Sequence, residues 1–396
     1  MWLRWFVFFS LIEIPLAFVG QYTHTLESIL HETPLLKQVA GSAEKYKLQV
    51  ILTEVRTLED GERSFIQREF HAVDTNYFYP ASIVKLPASI FAAEKIHALR
   101  TMGIDLYTRV SIDSSFSCQK AMKTDVYTND SIPTIGAFIE KALVVSDNPS
   151  YSRLYEFVGP EYFARRLSEM NMPHAQIVHR FSSCDSAENR HTNGFRFLSP
   201  FGETLYSQPA AYMDGPRTKA MPHMGVGKMH VSGGKTIKAP KDFSNSNALP
   251  LRAIHAILME LIYPESQSFE YSISESQRAY LRRALTISPK DSNNRKIAGN
   301  KEFHDNYTNY FFFGNENKER TSNLEVCNIV GLSYGFMTDV AYVYDPDSQV
   351  EFFLSATLYS NESDVIGSGN YEYSAIGFPF MKELSLRVLD ALRNKH

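Results

Sequence analysis

The sequence predicts an α/β fold in which strands from both ends of the chain form one antiparallel sheet, flanked by helices, with an all-helical domain inserted between them. Strand-like runs occur before residue 80 and after residue 300, and between them apolar residues recur at steps of three and four. The predicted sheet domain is therefore discontinuous, formed by residues 21–80 and 300–396. Residues 81–299 are predicted to form the helical domain, together with an extended loop region.

The individual elements follow from local patterns. Two early runs separated by the turn-like LEDGER predict a hairpin, and later runs rich in β-branched and aromatic residues predict three more strands. The predicted strands are 47–55, 64–72, 324–335, 338–345 and 349–359. The predicted helices are 86–103, 132–145, 160–170, 249–265 and 274–285, with a closing helix over 378–393.

The composition restricts the class of partner. The chain of 396 residues has 40 basic and 44 acidic side chains, a formal net charge of −4 and no long run of either sign. This balance argues against a nucleic-acid partner or an anionic membrane surface, and a small-molecule substrate or a cell-wall fragment fits better. We expect a monomer.

The first 20 residues have the layout of a secretory signal peptide, because Arg4 precedes an apolar run over residues 5–19. The predicted location is therefore periplasmic or extracellular. Glu13 and Pro15 interrupt the run, so an uncleaved N-terminal anchor is the alternative. No other apolar stretch is long enough to span a bilayer.

The cysteines and histidines do not suggest a metal or a disulfide framework. Cys118, Cys184 and Cys327 are scattered and odd in number, so at most one bridge is possible, and three isolated small apolar side chains are the preferred interpretation. The twelve histidines show no zinc-ligand spacing. No metal and no cofactor are expected.

A Ser-x-x-Lys pattern provides the candidate nucleophile. Residues three apart share a helix face, so the lysine can take the serine proton once burial has lowered its pKa. The pattern occurs four times, beginning at Ser42, Ser82, Ser117 and Ser232. Only Ser82, with Lys85, follows a turn-prone Tyr-Pro-Ala and opens an amphipathic helix. A plain helix-capping serine is the alternative interpretation.

A second motif, Ser146-Asp147-Asn148, occurs once, between two helix-like runs. Its hydroxyl can relay a proton to a leaving nitrogen, and its carboxamide can hydrogen-bond a substrate amide. Standing alone, it would be read as a helix-capping turn.

Together, YPASIVKLPA and VVSDNPSYSRLYEFVG resemble the first two signature motifs of class A β-lactamases and penicillin-binding proteins, which are penicillin-recognising serine enzymes. YKLQVILTEV and GLSYGFMTDVAYVYD further resemble the Bacteroidetes-type subgroup of these hydrolases. The resemblance covers nearly the whole chain after the leader. It implies a β-lactamase/transpeptidase-like fold.

The resemblance also implies roles for individual residues. Ser82 would be the acylated nucleophile, Lys85 its proton acceptor, Ser146 the proton relay and Asn148 a ligand of the substrate amide. The backbone amides of Ser82 and Leu332 would form the oxyanion hole. The substrate would bind along the strand segment Gly331, Leu332 and Ser333.

Two family features are altered. Where the family has Lys-Thr-Gly, this chain has Ile329-Val330-Gly331, so the usual substrate-carboxylate anchor is missing. The glutamate that activates water for deacylation is ambiguous. Glu188 is preferred, and Asp185, with Asn189 four residues later, is the alternative.

The predicted function is a serine hydrolase that forms an acyl-enzyme on Ser82 and hydrolyses an amide bond, in particular that of a β-lactam. One alternative is a D-alanyl-D-alanine peptidase of the penicillin-binding type. Another is a degenerate relative that binds cell-wall material without turnover.

Overall fold

A computed structural model describes residues 25–115, 118, 120–214, 221–264, 266–320 and 322–394. The predicted signal peptide at residues 1–20 lies outside the described residues. Among the helices that are described, none combines the length and the apolar character that crossing a membrane requires.

Ten α-helices are described. They are α1 (Leu26–Ile29), α2 (Pro34–Ala40), α3 (Lys85–Ala98), α4 (Ile135–Val144), α5 (Asn148–Val158), α6 (Pro160–Glu169), α7 (Leu251–Ile262), α8 (Glu275–Thr286), α9 (Arg295–Ala298) and α10 (Phe378–Arg393). Short 3-10 turns occupy Ala81–Val84, Arg100–Met102, Glu188–Arg190 and Pro289–Asp291, and a π-helical turn precedes α10 at Tyr373–Gly377.

Fifteen strands are described. They are β1 (Gln49–Thr57), β2 (Arg63–Phe70), β3 (Arg109–Ile112), β4 (His191–Thr192), β5 (Phe195–Leu198), β6 (Thr204–Gln208), β7 (Ala211–Tyr212), β8 (Gly225–Val226), β9 (Met229–Ser232), β10 (Lys235–Ile237), β11 (Lys241–Asp242), β12 (Glu325–Ser333), β13 (Phe336–Asp345), β14 (Val350–Tyr359) and β15 (Val365–Ile366).

The main sheet has five antiparallel strands in the order β12-β13-β14-β1-β2. Both chain ends contribute to it, and the junction is the β1–β14 pair, in which Gln49 lies opposite Thr357. The predicted antiparallel sheet from N- and C-terminal segments is therefore confirmed. The predicted hairpin, the three late strands and the closing helix all occur within a few residues of their predicted bounds.

Helices cover both faces of this sheet, and each face has its own apolar core. Side chains alternate along β1, so Val50 and Leu52 pack into the core beneath α1, α2 and α10. Ile51 points the other way, into the larger core that includes α3, α7 and α8. The sheet thus positions α3, whose N-terminus carries the candidate nucleophile, against its second face.

The inserted region is not all-helical. Between residues 81 and 299 the structure contains strands β3 to β11 in addition to its helices. These strands have two to five residues each; β5 with β6 and β9 with β10 form hairpins, and the other pairs join strands that are not consecutive in the chain. Such short segments, with few apolar residues in the polar stretch from Gly225 to Phe243, give almost no alternating pattern to detect.

The interpretation of three isolated cysteines is wrong for two of them. Cys118 and Cys184 form a disulfide with a Cα–Cα distance of 5.5 Å, and Cys327 is free and buried. The bridge joins the loop between β3 and α4 to the loop that precedes β4. Because the partners are 66 residues apart, only the tertiary structure could reveal that they meet.

Candidate active site

Ser82 lies in the 3-10 turn Ala81–Val84, which leads directly into α3. Lys85 is the first residue of that helix, so the three-residue spacing places both side chains on one face. The Lys85 Nζ lies 2.8 Å from the Ser82 Oγ. Pro87 falls within the first turn of α3, where a missing backbone N–H costs no helical hydrogen bond.

The Ser146-Asp147-Asn148 segment connects α4 to α5 and turns its polar groups toward the same lysine. Ser146 has a left-handed backbone with φ of 56°, an unfavourable conformation for a serine. Asp147 caps α5, its carboxylate accepting a hydrogen bond from the Ser150 amide at 2.7 Å. This turn places the Ser146 Oγ and the Asn148 Oδ1 each 2.8 Å from the Lys85 Nζ.

The Lys85 amine is the centre of the site. Its side chain is fully buried, and desolvation lowers its pKa to about 7, against the opposing effect of the Asp147 charge. The backbone carbonyl of Ser146 also accepts a hydrogen bond from the amine. Four oxygen atoms therefore surround the Lys85 Nζ, whereas an ammonium group has only three protons to donate. The neutral amine, with two protons and a lone pair, fits this environment and can accept the Ser82 proton.

The lowered pKa predicts how acylation depends on pH. An amine accepts a proton only when it is neutral, so the rate of the predicted acylation of Ser82 should rise with pH through about 7 and level off above it. Below that value the rate should fall about tenfold per pH unit. This can be tested by measuring, over a pH series, the pseudo-first-order rate at which a fluorescent penicillin labels Ser82 covalently. An inflection near the ordinary lysine pKa of 10.5 would contradict the assignment.

The other Ser-x-x-Lys patterns lack this arrangement where the structure describes them. Lys45 pairs with Glu362 at 2.8 Å. Lys235 is exposed and lies opposite Ser232 across the β9–β10 hairpin. Ser117 lies outside the described residues. Among the patterns that the structure describes, Ser82 and Lys85 are the pair whose side chains are hydrogen-bonded to each other.

The edge strand β12 borders the nucleophile turn. Gly331 lies against it, because a Cβ at this position would overlap the Pro80 carbonyl oxygen and lie 3.4 Å from the Ala81 Cβ. The next residue, Leu332, is 37% exposed, and Ser333 is half-buried. The predicted substrate-binding segment thus runs beside Ser82 and is partly open to solvent.

The two residues before Gly331 belong to the protein core. Ile329 and Val330 are each 3% exposed and pack into the two different cores on opposite faces of the sheet. Neither offers a charge to a substrate. A cation does approach the end of β12: the Lys241 Nζ lies 5.9 Å from the centre of the Tyr334 ring, two residues beyond Leu332.

Glu188, the predicted deacylation base, lies on the loop that the disulfide ties down. Its carboxylate accepts a hydrogen bond from the Asp185 amide at 2.9 Å and lies within 4.8 Å of the Cys118 and Cys184 sulfurs. It is not among the groups that contact Lys85. The structure therefore brings Ser82, Lys85, Ser146 and Asn148 together but does not join Glu188 to them.

Asp185, the alternative base, is exposed and lies on the same loop, which it stabilises through hydrogen bonds to the backbone. Its carboxylate accepts hydrogen bonds from the amides of Ala187 and Glu188, at 2.8 and 2.7 Å. The cluster of Glu188 with the two cysteines is also no metal site in this state, because the two sulfurs are bonded to each other.

Sequence reasoning missed two groups beside Lys85. The Ser-Asp-Asn pattern by itself gives Asp147 no separate role, yet its charge acts on the Lys85 pKa. The Phe181 ring lies 5.5 Å from the Lys85 Nζ and helps exclude water from it. Asp147 could have been found from its place beside Ser146, whereas nothing in the sequence connects Phe181 to α3.

Residues 35–204 match the model of the beta-lactamase enzyme family. The resemblance to penicillin-recognising serine enzymes is thereby confirmed for this segment, which contains Ser82, Lys85, Ser146, Asn148 and Glu188. No curated protein matches the chain.

Among solved structures, the chain is similar to a β-lactamase from Desulfarculus baarsii, with 12% identity, a TM-score of 0.48 and coverage of 92% of this chain and 98% of the other. It is also similar to a β-lactamase from Burkholderia phymatum (14% identity, TM-score 0.48, coverage 90% and 96%). A third, from Streptomyces albus G, has 13% identity, a TM-score of 0.46 and coverage of 88% and 97%.

Proposed function

We propose that this chain, whose residues 35–204 match the beta-lactamase enzyme family, is a serine hydrolase that opens an amide bond through an acyl-enzyme on Ser82. The observation that carries the proposal is the buried Lys85 amine, 2.8 Å from each of the Ser82, Ser146 and Asn148 side chains. When it is neutral, the Lys85 amine can act as a base toward the Ser82 hydroxyl, and the Ser146 hydroxyl is a second group with which it can exchange a proton.

The chemistry follows from these contacts. Lys85 takes the Ser82 proton as the Ser82 oxygen bonds to the substrate carbonyl carbon. The proton passes from Lys85 to the Ser146 hydroxyl as that hydroxyl gives its own proton to the leaving nitrogen, and the carbon–nitrogen bond breaks. The Asn148 carboxamide holds the substrate's amide. Water then cleaves the ester, which releases the acid and restores Ser82.

A β-lactam is the substrate class that we favour. Its amide belongs to a strained ring, so acylation needs little more than an activated serine and an oxyanion site. The edge of β12 at Leu332, partly exposed beside the nucleophile turn, is placed to supply one backbone donor of such a site. With Ile329 and Val330 buried, a carboxylate-bearing penicillin lacks its customary lysine partner, so we expect weak binding of the intact drug before acylation.

A fluorescent penicillin tests the nucleophile directly. The purified protein should form a covalent adduct, located by mass spectrometry on the peptide that contains Ser82, and Ser82→Ala should abolish it. Ser42→Ala, in another Ser-x-x-Lys pattern, is the matched control and should label normally. An adduct that survives Ser82→Ala, or no adduct at all, would refute the proposed function for β-lactams.

A stalled acyl-enzyme, as in a penicillin-binding peptidase, is the second candidate. It is favoured because both candidate bases, Glu188 and Asp185, accept hydrogen bonds from amides of their own loop. Following the adduct after removal of free probe separates the two functions: rapid loss indicates turnover, and persistence indicates stalling. If the adduct turns over, comparing Glu188→Gln with Asp185→Asn identifies the base.

We also propose that the protein is exported. The apolar leader supports this, and so does the Cys118–Cys184 disulfide, because such bridges persist in oxidising compartments. Mass spectrometry of the protein from periplasmic and cytosolic fractions tests it. A fully reduced, full-length chain confined to the cytosol would count against export.

A further inference from the structure

We propose that a cavity remote from Ser82 binds a small phosphate monoester with a ring-shaped body. The cavity has a volume of about 630 Å³ and lies between α3, the junction of α5 with α6, and strands β4, β6 and β7. Lys95, which lines it, follows Lys85 by ten residues on α3, a distance of about 15 Å along the helix. The cavity is thus a separate site.

Lys95 is the reason to expect an anion. Its Nζ donates to the backbone carbonyl oxygens of Phe157 at 2.5 Å and Val158 at 3.3 Å, and to the Gln208 Oε1 at 2.8 Å. All three partners are neutral, and no carboxylate of the described residues pairs with this ammonium. A half-buried cation without a counter-charge is costly.

The burial of Lys95 is not offset by a neighbouring acidic group among the described residues. Desolvation lowers its pKa to about 8, and no neighbouring acid opposes this effect. The contact with Val158 is the longest of its three, so the proton that points there is the one that a ligand can share.

Two further cations line the same cavity. The Arg165 guanidinium lies over the Tyr162 ring at 4.6 Å and pairs with Glu169, and Arg190 donates to the Met213 carbonyl at 3.0 Å. Glu161 is the one acidic side chain among the residues that line it. The lining therefore contains three cations and one acid, and a second acid just outside it, Glu169, pairs with Arg165.

The shape of the cavity restricts the ligand further. The volume lies within the range of small-molecule sites and exceeds what a free phosphate ion fills. Tyr206 and Tyr212 line the wall and offer rings and hydroxyls to a cyclic body. A dianionic phosphate on a sugar-sized ring satisfies both the charge and the volume.

Calorimetric titration with glucose 6-phosphate, inorganic phosphate and glucose tests the proposal on the intact protein. Glucose 6-phosphate should bind, inorganic phosphate should bind more weakly, and glucose should not bind. Glucose 6-phosphate should also leave Ser82 labelling by penicillin unblocked. If inorganic phosphate and glucose 6-phosphate bind with equal affinity, the cavity does not recognise a ring-shaped body. If glucose binds, or if none of the three compounds binds, the cavity is not an anion site.

Variants assign the binding to this cavity. Lys95→Met should weaken binding of glucose 6-phosphate by roughly tenfold or more, because a charge-assisted hydrogen bond is lost, and Lys95→Arg should restore part of it. Lys301→Met, at an exposed lysine, is the matched control and should bind as the unmodified protein does. If Lys95→Met does not fold, Arg165→Gln, at a more exposed position, is used in its place and should also weaken the binding of glucose 6-phosphate. Unchanged affinity in both Lys95→Met and Arg165→Gln would overturn the assignment.

Discussion

Acylation of Ser82 is expected to slow by a factor of roughly 10²–10⁴ when Lys85 is replaced by methionine or by arginine. Methionine removes the amine, and arginine keeps a charge but stays protonated at every accessible pH, so neither can accept the Ser82 proton. Stopped-flow labelling with a fluorescent penicillin measures the rate. In both variants the inflection near pH 7 in the plot of labelling rate against pH should also disappear.

The Lys85 variants have a natural control in the chain. Lys45 also follows a serine by three residues but pairs with Glu362 on the surface, so Lys45→Met should label at the unmodified rate. Circular dichroism and thermal unfolding of each variant establish that the fold is retained. A folded Lys85→Met that labels within a few-fold of the unmodified protein would show that another group is the base.

Replacing Gly331 by alanine is expected to slow acylation by about 100-fold, because displacements near 1 Å at a reacting centre have effects of this size. The added methyl would overlap the Pro80 carbonyl oxygen and lie 3.3 Å from the Ile83 Cγ2, so β12 and the nucleophile turn must separate. The crowding should also lower the free energy of unfolding by about 1–3 kcal/mol. Labelling rate and denaturant unfolding measure the two effects.

Gly225→Ala is the matched control for this crowding. Its methyl would meet the Pro240 Cβ at 3.5 Å, an ordinary contact, and Gly225 also lies in a strand. It should change neither the labelling rate nor the stability appreciably. If Gly331→Ala labels at the unmodified rate, the close approach of β12 to Ser82 has no part in catalysis.

The parts of the site that depend on local geometry could be predicted from the sequence. A spacing of three residues at a helix start is enough to place Lys85 beside Ser82, whatever the rest of the chain does. Ser146 and Asn148 came from the resemblance of their motif, and the structure adds that a strained turn directs both toward the lysine. The main sheet was predictable because its strands are long and strongly apolar.

The parts that depend on distant contacts could not be predicted. Cys118 meets Cys184 only because two loops fold over each other, and nothing in their surroundings distinguishes them from Cys327. The same is true of Lys95, whose helix position resembles an ordinary surface residue until residues 157–158 and Gln208 close around it. The placement of Glu188 likewise depends on a loop conformation that no periodic pattern records.

The pairing of β1 with β14 determines when the protein can acquire its structure during synthesis. The hairpin of β1 and β2 leaves the ribosome early, but the strand that pairs with the other edge of β1 is separated from it by some 300 residues, as the pairing of Gln49 with Thr357 records. Until that strand emerges, β1 has one unpaired edge, and the nucleophile turn has no β12 against it. Pairings so distant in sequence form slowly, and the incomplete sheet is prone to aggregate. Completion of the candidate site therefore waits for β12, which begins about 240 residues after Ser82, and until then the nascent chain carries an exposed sheet edge that favours aggregation.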